Sequence, residues 1–203
     1  MKDELEKTLR VVAAGIDTLK ELDVYGQRWV DKMLEDGIIE PGIKVLDYGA
    51  GLGRLSIPMQ KAGILVTAVD RRRDMRDYLV KNDIRTFLAE DLKKIEGEYF
   101  DMAIAMYVFQ HMSRDVAREI IRQIANVTHL LYFTIPTVSM FPDGFGKTYR
   151  REAEEKGGAI YGESERSMVY QDETLYEDLI KPYFNKITPV KFKNAGMWKA
   201  TNG

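Results

Sequence analysis

The spacing of hydrophobic residues along the chain predicts strands that alternate with helices. Apolar runs of strand length lie at 43–48, 64–70, 84–89, 100–108 and 129–135. Helices are predicted between these runs, at 54–61, 74–81 and 114–126. Several strands are continuous apolar runs, which is expected when helices cover both faces of a sheet. The alternation therefore predicts a doubly wound α/β fold with a mostly parallel sheet.

The chain before the first strand is predicted to be helical. Apolar residues recur at helical spacing over 3–20, and a second helix is expected at 27–36, where Gly37 ends it. We therefore interpret 1–40 as an N-terminal helical cap. The apolar stripe of the first helix is typical of packing within its own domain, and a cover over a ligand or a dimer contact are the alternatives.

The last thirty residues are predicted to form a helix and a β-hairpin. The helix at 172–180 leads into strands at 184–193 and 196–201, which the short turn 194–195 joins. Because a short turn cannot connect parallel neighbours, one of these two strands is expected to run antiparallel.

Composition narrows the class of protein. The length of 203 residues suits a single domain, 1–203, with a substantial core. A net charge of −2 argues against nucleic acid and acidic membranes as partners. The chain has no cysteine, which excludes disulfides, thiolate metal sites and cysteine nucleophiles, and no metal site is predicted. No apolar stretch has the length of a membrane span and no signal peptide is visible, so a cytoplasmic protein is expected.

Three glycines follow the first predicted strand. In the run from Val45 to Arg54, Gly49, Gly51 and Gly53 alternate with other residues and a helix comes next. Glycine allows tight turns and close ligand approach, and the start of a helix binds carboxylate or phosphate groups. A plain strand-to-helix turn is the alternative, although it does not need three glycines. A dinucleotide fingerprint would have glycine where Arg54 stands, which argues against NAD.

Polar residues also follow the next strands. Asp70, at the end of the second, can accept hydrogen bonds from two ribose hydroxyls, with a helix cap as the alternative. Arg71 and the two arginines after it would suit a phosphate, but Asp70 would repel one, so a solvated basic turn is favoured. Asp91 follows the third strand, where a simple loop carboxylate is the alternative. His111 follows the fourth and is either a general base or a hydrogen-bonded loop histidine.

The order acidic-x-G-x-G-x-G, from Asp47 to Gly53, resembles the first motif of class I S-adenosylmethionine-dependent methyltransferases. The resemblance covers roughly residues 25–201. It implies a seven-stranded sheet of order 3-2-1-4-5-7-6 with one antiparallel strand, helices on both faces, and S-adenosylmethionine as the cofactor.

The same resemblance implies where the cofactor would bind. The implied set is Asp47, Gly49, Ala50, Gly51, Gly53, Asp70, Arg71, Asp91, Leu92 and Tyr107. In this set the glycine loop holds the methionine portion, and Asp47 engages its ammonium group through water. Asp70 holds the ribose, whereas Asp91 and the Leu92 N–H contact the adenine. Tyr107 lies at the crevice between strands one and four.

Residues 137–171 show no clear periodicity and are rich in glycine, aromatic and charged residues, so we interpret them as a substrate lid insertion. A polar loop whose rings simply pack on the sheet is an equal alternative. The substrate candidates, which include two residues before the first strand, are Tyr25, Arg28, Phe141, Phe145, Tyr149 and Tyr161. For Arg28, the cofactor carboxylate and plain solvent exposure are alternatives.

The expected reaction is methyl transfer to an oxygen or nitrogen of a small molecule. Transfer from a sulfonium is a direct displacement, for which positioning alone can supply on the order of 7–11 kcal/mol. His111 is the candidate base if the acceptor has to lose a proton. An RNA or protein methyltransferase and a non-catalytic cofactor-binding subunit are the alternatives, and an aminopropyl transferase is disfavoured. No membrane partner is expected, and the sequence predicts no oligomeric state.

Overall fold

The computed structural model describes residues 18–109, 112, 114–134, 179–192 and 195–202. These residues belong to two compact units, and the boundary lies after Asp101. The prediction of a single domain is not tested by this division and stays a prediction.

The described part of the first unit contains three strands, with one α-helix before the first strand and one after each of the first two. Its helices are α1 (Leu19–Glu35), α2 (Ser56–Lys61) and α3 (Arg73–Lys81), and its strands are β1 (Lys44–Tyr48), β2 (Leu65–Asp70) and β3 (Arg85–Leu88). A 3₁₀ helix, Ala89–Ile95, follows β3. Strand β2 pairs in parallel with both β1 and β3, so that Tyr48 lies beside Val69 and Asp70 beside Leu88. The carboxyl ends of all three strands therefore lie at one edge of the sheet.

Helix α1 corrects the predicted N-terminal elements. One continuous helix occupies Leu19–Glu35, where the sequence predicts the end of one helix at 20 and the start of another at 27. A capping box starts it: the Glu21 N–H donates to Thr18 Oγ1 at 3.1 Å, and the Thr18 N–H donates to the Glu21 carboxylate at 3.0 Å. The rest of the helix predicted at 3–20 lies outside the described residues.

Several other boundaries differ from the prediction. The helix predicted from 54 begins at Ser56, and the 3₁₀ helix after β3 was not predicted. The fourth strand, β4, occupies Met102–Ala105 instead of 100–108. Its predicted length is wrong because Met106 and Val108 are buried beyond the end of the strand, where an apolar run does not distinguish strand from turn.

The second unit holds the remaining described elements. They are β4, α4 (Arg114–Ala125), β5 (Leu130–Thr134), β6 (Lys186–Phe192) and β7 (Ala195–Thr201). Strand β7 starts at Ala195, one residue earlier than predicted, and β6 ends at Phe192, one residue earlier than predicted. Of the helix predicted at 172–180, only 179–180 are described, and both are helical.

The sheet has the predicted topology. Among the described residues, seven strands are ordered β3-β2-β1-β4-β5-β7-β6. Strand β7 runs antiparallel to both β5 and β6, whereas β4 and β5 are parallel. This order confirms the predicted doubly wound, mostly parallel α/β sheet. None of the helices in the described ranges is long and apolar enough to cross a membrane.

Candidate cofactor-binding site

The glycine loop turns back over the carboxyl end of β2. The N–H groups of Gly49 and Ala50 both donate to the Val69 carbonyl, at 2.7 and 3.1 Å, and the Gly53 N–H donates to the Ala50 carbonyl at 2.9 Å. The φ angles of Gly49, Gly51 and Gly53 are +76°, +55° and +76°. Only glycine adopts this left-handed backbone readily, so the three glycines are required by the shape of the loop.

Two of these glycines have different surroundings. A Cβ at Gly53 would lie 2.6 Å from Leu79 Cδ2 and 2.9 Å from Ile57 Cδ1, so its missing side chain lets the loop pack on α2 and α3. A Cβ at Gly51 would have no described atom within 4 Å. Among the described residues, Gly51 therefore has open space on its Cβ side, where a ligand can approach the backbone directly.

Asp70 connects the glycine loop to the turn after β2. Its Oδ2 accepts a hydrogen bond from the Gly51 N–H at 2.8 Å, and its Oδ1 accepts one from the Arg72 N–H at 2.9 Å. An ionised carboxylate has about four acceptor positions, so each oxygen keeps one for a further donor. Asp70 thus stabilises the turn before the next helix, close to the helix-cap role considered as the alternative. It can still accept hydrogen bonds from two hydroxyls.

Asp47 is a buried acid at the end of β1. Its side chain is 3% exposed, and Ser56 Oγ, at the start of α2, donates to its Oδ2 at 2.6 Å. Burial raises the pKa of Asp47 to about 6, although the Ser56 hydrogen bond and the Arg54 charge oppose this rise. Asp47 is therefore ionised at pH 7, but the protein holds that charge at a cost.

The remaining predicted cofactor residues of the first unit lie after β2 and β3. Arg71 is exposed, whereas Leu92 is buried in the 3₁₀ helix. In the same helix, the Asp91 carboxylate lies 2.8 Å from Lys94 Nζ. The structure therefore brings the turn after β2 and the 3₁₀ helix after β3 to the same sheet edge as the glycine loop. Which part of a ligand each residue would contact stays a prediction.

Helix α1 lies directly on the last residue of the loop, a contact that sequence reasoning missed. A Cβ at Gly26 would lie 1.8 Å from the Arg54 carbonyl oxygen. The Arg54 guanidinium lies 5.8 Å from the ring centroids of both Tyr25 and Trp29, within cation–π range. Tyr25 is 38% exposed, and Arg28 is exposed to solvent. A glycine in the middle of an otherwise well-formed helix was the available sequence signal.

Tyr107 belongs to the second unit and lies in the turn after β4. Its φ of +59° is unusual for a residue with a side chain, and its N–H donates to Thr134 Oγ1 at 2.6 Å. His111, the four aromatic candidates Phe141, Phe145, Tyr149 and Tyr161, and the lid at 137–171 lie outside the described residues. In the described part of the chain, no cluster of histidine and acidic residues is suited to a metal ion.

Comparison with known proteins finds similarity to methyltransferases. A family model described as a methyltransferase domain matches residues 45–129, which include β1, the glycine loop and α4. The magnesium-protoporphyrin O-methyltransferase of Synechocystis sp. strain PCC 6803 is 29% identical over 164 residues, which are 75% of this chain and 67% of that protein. An uncharacterized methyltransferase of Bacillus licheniformis is 26% identical over 102 residues, which are 46% of each chain.

Solved structures show the same fold. The crystal structure of magnesium protoporphyrin IX methyltransferase from Synechocystis PCC 6803, with bound S-adenosylhomocysteine, has a TM-score of 0.63 and 20% identity, and the match covers 100% of this chain and 98% of that one. The strand order, the glycine loop and the family model agree with the sequence-based resemblance. Residues 45–129 therefore match a methyltransferase domain, and the chain has the fold of a solved S-adenosylhomocysteine-bound methyltransferase.

Proposed function

We propose that this methyltransferase acts on an oxygen or nitrogen atom of a small molecule. The relative from Synechocystis is named as an O-methyltransferase of a small molecule, magnesium-protoporphyrin, and this name favours oxygen as the acceptor atom. The formal charge of −2 supports the same choice, because it offers no strong overall attraction for an RNA backbone.

The proposal rests on two neighbouring features of the site. The backbone of Gly51 is accessible to a ligand, and the Asp70 carboxylate can accept further hydrogen bonds. Among the described residues, Gly51 has open space on its Cβ side, and its N–H is already held by Asp70 at 2.8 Å. Such a site suits a ligand with an amino-acid portion beside a pair of hydroxyls, as S-adenosylmethionine has. We assign the ribose hydroxyls to Asp70 and the amino-acid portion to the loop at 49–53.

The charges near the loop fit the same ligand. Asp47 is the carboxylate that we assign to the ligand's ammonium group through water, and its ionised form is favoured when a positive charge lies nearby. The pairs Asp91 with Lys94 and Arg73 with Glu90 lie around the 3₁₀ helix that we assign to the adenine. Asp91 and Leu92 are the adenine contacts in this assignment.

When bound, S-adenosylmethionine supplies a methyl group on a positively charged sulfur. The role of the chain is then to bind, orient and exclude water, since a direct displacement needs no protein nucleophile. We assign His111 as the base that takes a proton from the acceptor, and Tyr107 as a further cofactor contact. Tyr25, Arg28 and the lid aromatics are proposed to contact the acceptor.

The first experiment tests the ligand assignment. Thermal unfolding is measured with S-adenosylhomocysteine, NAD and NADP, and ligand at 100 times its dissociation constant should add about 2.7 kcal/mol of stability. Asp70→Ala should lose the shift with S-adenosylhomocysteine. Asp101→Ala is the matched control, because Asp101 Oδ2 also accepts from a backbone N–H, that of Lys44 at 2.7 Å, away from the loop. An unchanged shift in Asp70→Ala would remove this residue from the site.

The second experiment tests the acceptor. The enzyme is incubated with S-adenosylmethionine carrying a labelled methyl group and, separately, with magnesium-protoporphyrin, a small-molecule extract, total RNA and total protein. Label in a small-molecule fraction is the expected result. Label confined to RNA or protein would overturn the proposal in favour of a macromolecular acceptor, and binding without turnover in any fraction would favour a non-catalytic subunit.

A further inference from the structure

Gly26 occupies an unfavourable position for a glycine. It lies near the middle of α1, where glycine costs about 1 kcal/mol of helix stability relative to alanine. It is nevertheless buried, and a Cβ there would lie 1.8 Å from the Arg54 carbonyl oxygen and 2.9 Å from the carbonyl carbon. The hydrogen that replaces the side chain therefore points at this oxygen, as in Cα–H···O contacts between closely packed helices.

The neighbouring atoms leave no easy way to accommodate a methyl group at this position. Both nearest atoms belong to the backbone of the loop, which cannot turn aside as the end of a flexible side chain can. An ordinary carbon–oxygen contact is about 3.3 Å, so alanine would require α1 and the loop to separate by roughly 1.5 Å.

The side chain of Arg54 reinforces the same contact. Its guanidinium lies 5.8 Å from the ring centroids of Tyr25 and Trp29, which precede and follow Gly26 on α1. Trp29 is 1% exposed, so one of these two rings is fixed in the core. Helix α1 thus holds Arg54 by its carbonyl group and by its side chain together.

Arg54 also sits at a sensitive point of the loop. It directly follows Gly53, whose N–H donates to the Ala50 carbonyl at 2.9 Å and whose φ is +76°. Two residues before that glycine, Gly51 donates to Asp70 at 2.8 Å. A displacement of Arg54 is therefore transmitted through a short, tightly hydrogen-bonded turn to the backbone that we assign to the cofactor.

We infer that Gly26 is a positioning residue for the cofactor: by seating α1 on the Arg54 carbonyl it sets the backbone of loop 49–54 for binding. This inference rests on the proposed assignment of that loop to S-adenosylmethionine and is independent of the acceptor. Gly26 itself touches neither the cofactor nor the acceptor in this role.

The test compares two substitutions on the same helix. Gly26→Ala should raise the dissociation constant of S-adenosylhomocysteine by about 10- to 100-fold, the equivalent of losing one hydrogen bond to a charged group. Met33→Ala is the matched control, because Met33 is fully buried on the same face and lies two helical turns away. It should lower the melting temperature while leaving the dissociation constant within about twofold of wild type.

Calorimetric titrations are run well below the melting temperature of each variant, and Asp70→Ala is included. Weak binding in Gly26→Ala beside normal binding in Met33→Ala supports the inference. Wild-type binding in Gly26→Ala, or an equal loss in both helix variants, overturns it. If Asp70→Ala is the only variant that binds S-adenosylhomocysteine weakly, the proposed cofactor site stands and only the inference about Gly26 is rejected. If Asp70→Ala binds as tightly as wild type, the assignment of Asp70 to the cofactor is rejected.

If Gly26→Ala does not fold, a second variant tests whether the contact between α1 and Arg54 affects cofactor binding. Arg54→Met keeps an unbranched apolar side chain, although a shorter one, and removes the charge that lies over the two rings. At pH 8, where Asp47 is ionised, it should weaken S-adenosylhomocysteine binding by roughly two- to fivefold, as expected for a partly exposed cation–π contact. Binding equal to wild type in this variant would overturn the inference.

Discussion

Replacing Asp47 with asparagine removes a carboxyl group that the protein buries at the end of β1. Asparagine has nearly the same shape, and its oxygen can accept the hydrogen bond that Ser56 Oγ donates to Asp47 at 2.6 Å. The substitution therefore changes charge with little change in packing, and the difference from wild type isolates the cost of ionising Asp47 in the folded protein.

The size and sign of that cost follow from the pKa. Burial raises the pKa of Asp47 from 3.8 to about 6 in the folded state. Below pH 3.8 the carboxyl is protonated in both folded and unfolded chains, and Asp47 does not disfavour folding. As pH rises from there through about 6, the unfolded chain ionises first, so the free energy of unfolding falls. At pH 8 the loss is complete and amounts to about 3 kcal/mol.

The assay is denaturant unfolding of wild type and Asp47→Asn at several values between pH 4 and pH 8. Other titrating groups are common to both proteins, so their contributions cancel in the difference. We expect Asp47→Asn to have nearly the stability of wild type at pH 4 and to be more stable by up to about 3 kcal/mol at pH 8. A difference that is flat with pH, or that turns against asparagine as pH rises, would refute the assignment of a raised pKa to Asp47.

Three further predictions concern the cofactor-binding site and control positions away from it. Wild type should bind S-adenosylhomocysteine up to about tenfold more tightly at pH 7 than at pH 5, because an ionised Asp47 favours the ligand's ammonium group, and calorimetry should show a smaller change for Asp47→Asn. Gly53→Ala should lower the free energy of unfolding by about 2–4 kcal/mol, since positive φ and a crowded site act together. Gly97→Ala, at a φ of +89° with no described atom within 4 Å of the Cβ position, should lose only about 1 kcal/mol, and an equal loss at both sites would contradict the packing argument. Asp101→Ala should cost about 1 kcal/mol in chemical unfolding through the lost Lys44 hydrogen bond, with unchanged S-adenosylhomocysteine affinity.

Features that depend on residues close together in the chain were predictable from the sequence. The glycine loop is one, because alternating glycines after a buried strand favour a tight ligand-binding turn whatever the rest of the fold. Asp70 is another, since its place at the end of a strand decides which edge of the sheet it joins. The strand order followed from the family resemblance rather than from any local pattern.

Features that depend on distant contacts were not predictable in the same way. The contact between Gly26 and Arg54 joins residues far apart in the chain, and hydrophobic spacing carries no information about it. The predicted end of β4 at 108 is wrong because buried residues continue past Ala105 into a turn. An apolar run shows that residues are buried but does not show where the strand ends. The start of α1 was missed although Thr18 and Glu21 have the spacing of a capping box, a local signal that the apolar pattern obscured.

The two hydrogen bonds that Asp70 accepts from the backbone have a stereochemical consequence. A carboxylate that is anchored through both oxygens cannot rotate to follow its ligand, so the directions of its remaining lone pairs are set before the ligand arrives. A sugar with two neighbouring hydroxyls on one face can satisfy both lone pairs at once. A deoxy sugar would leave one of them without a donor in a partly buried place, and the fold would discriminate against it without any dedicated residue.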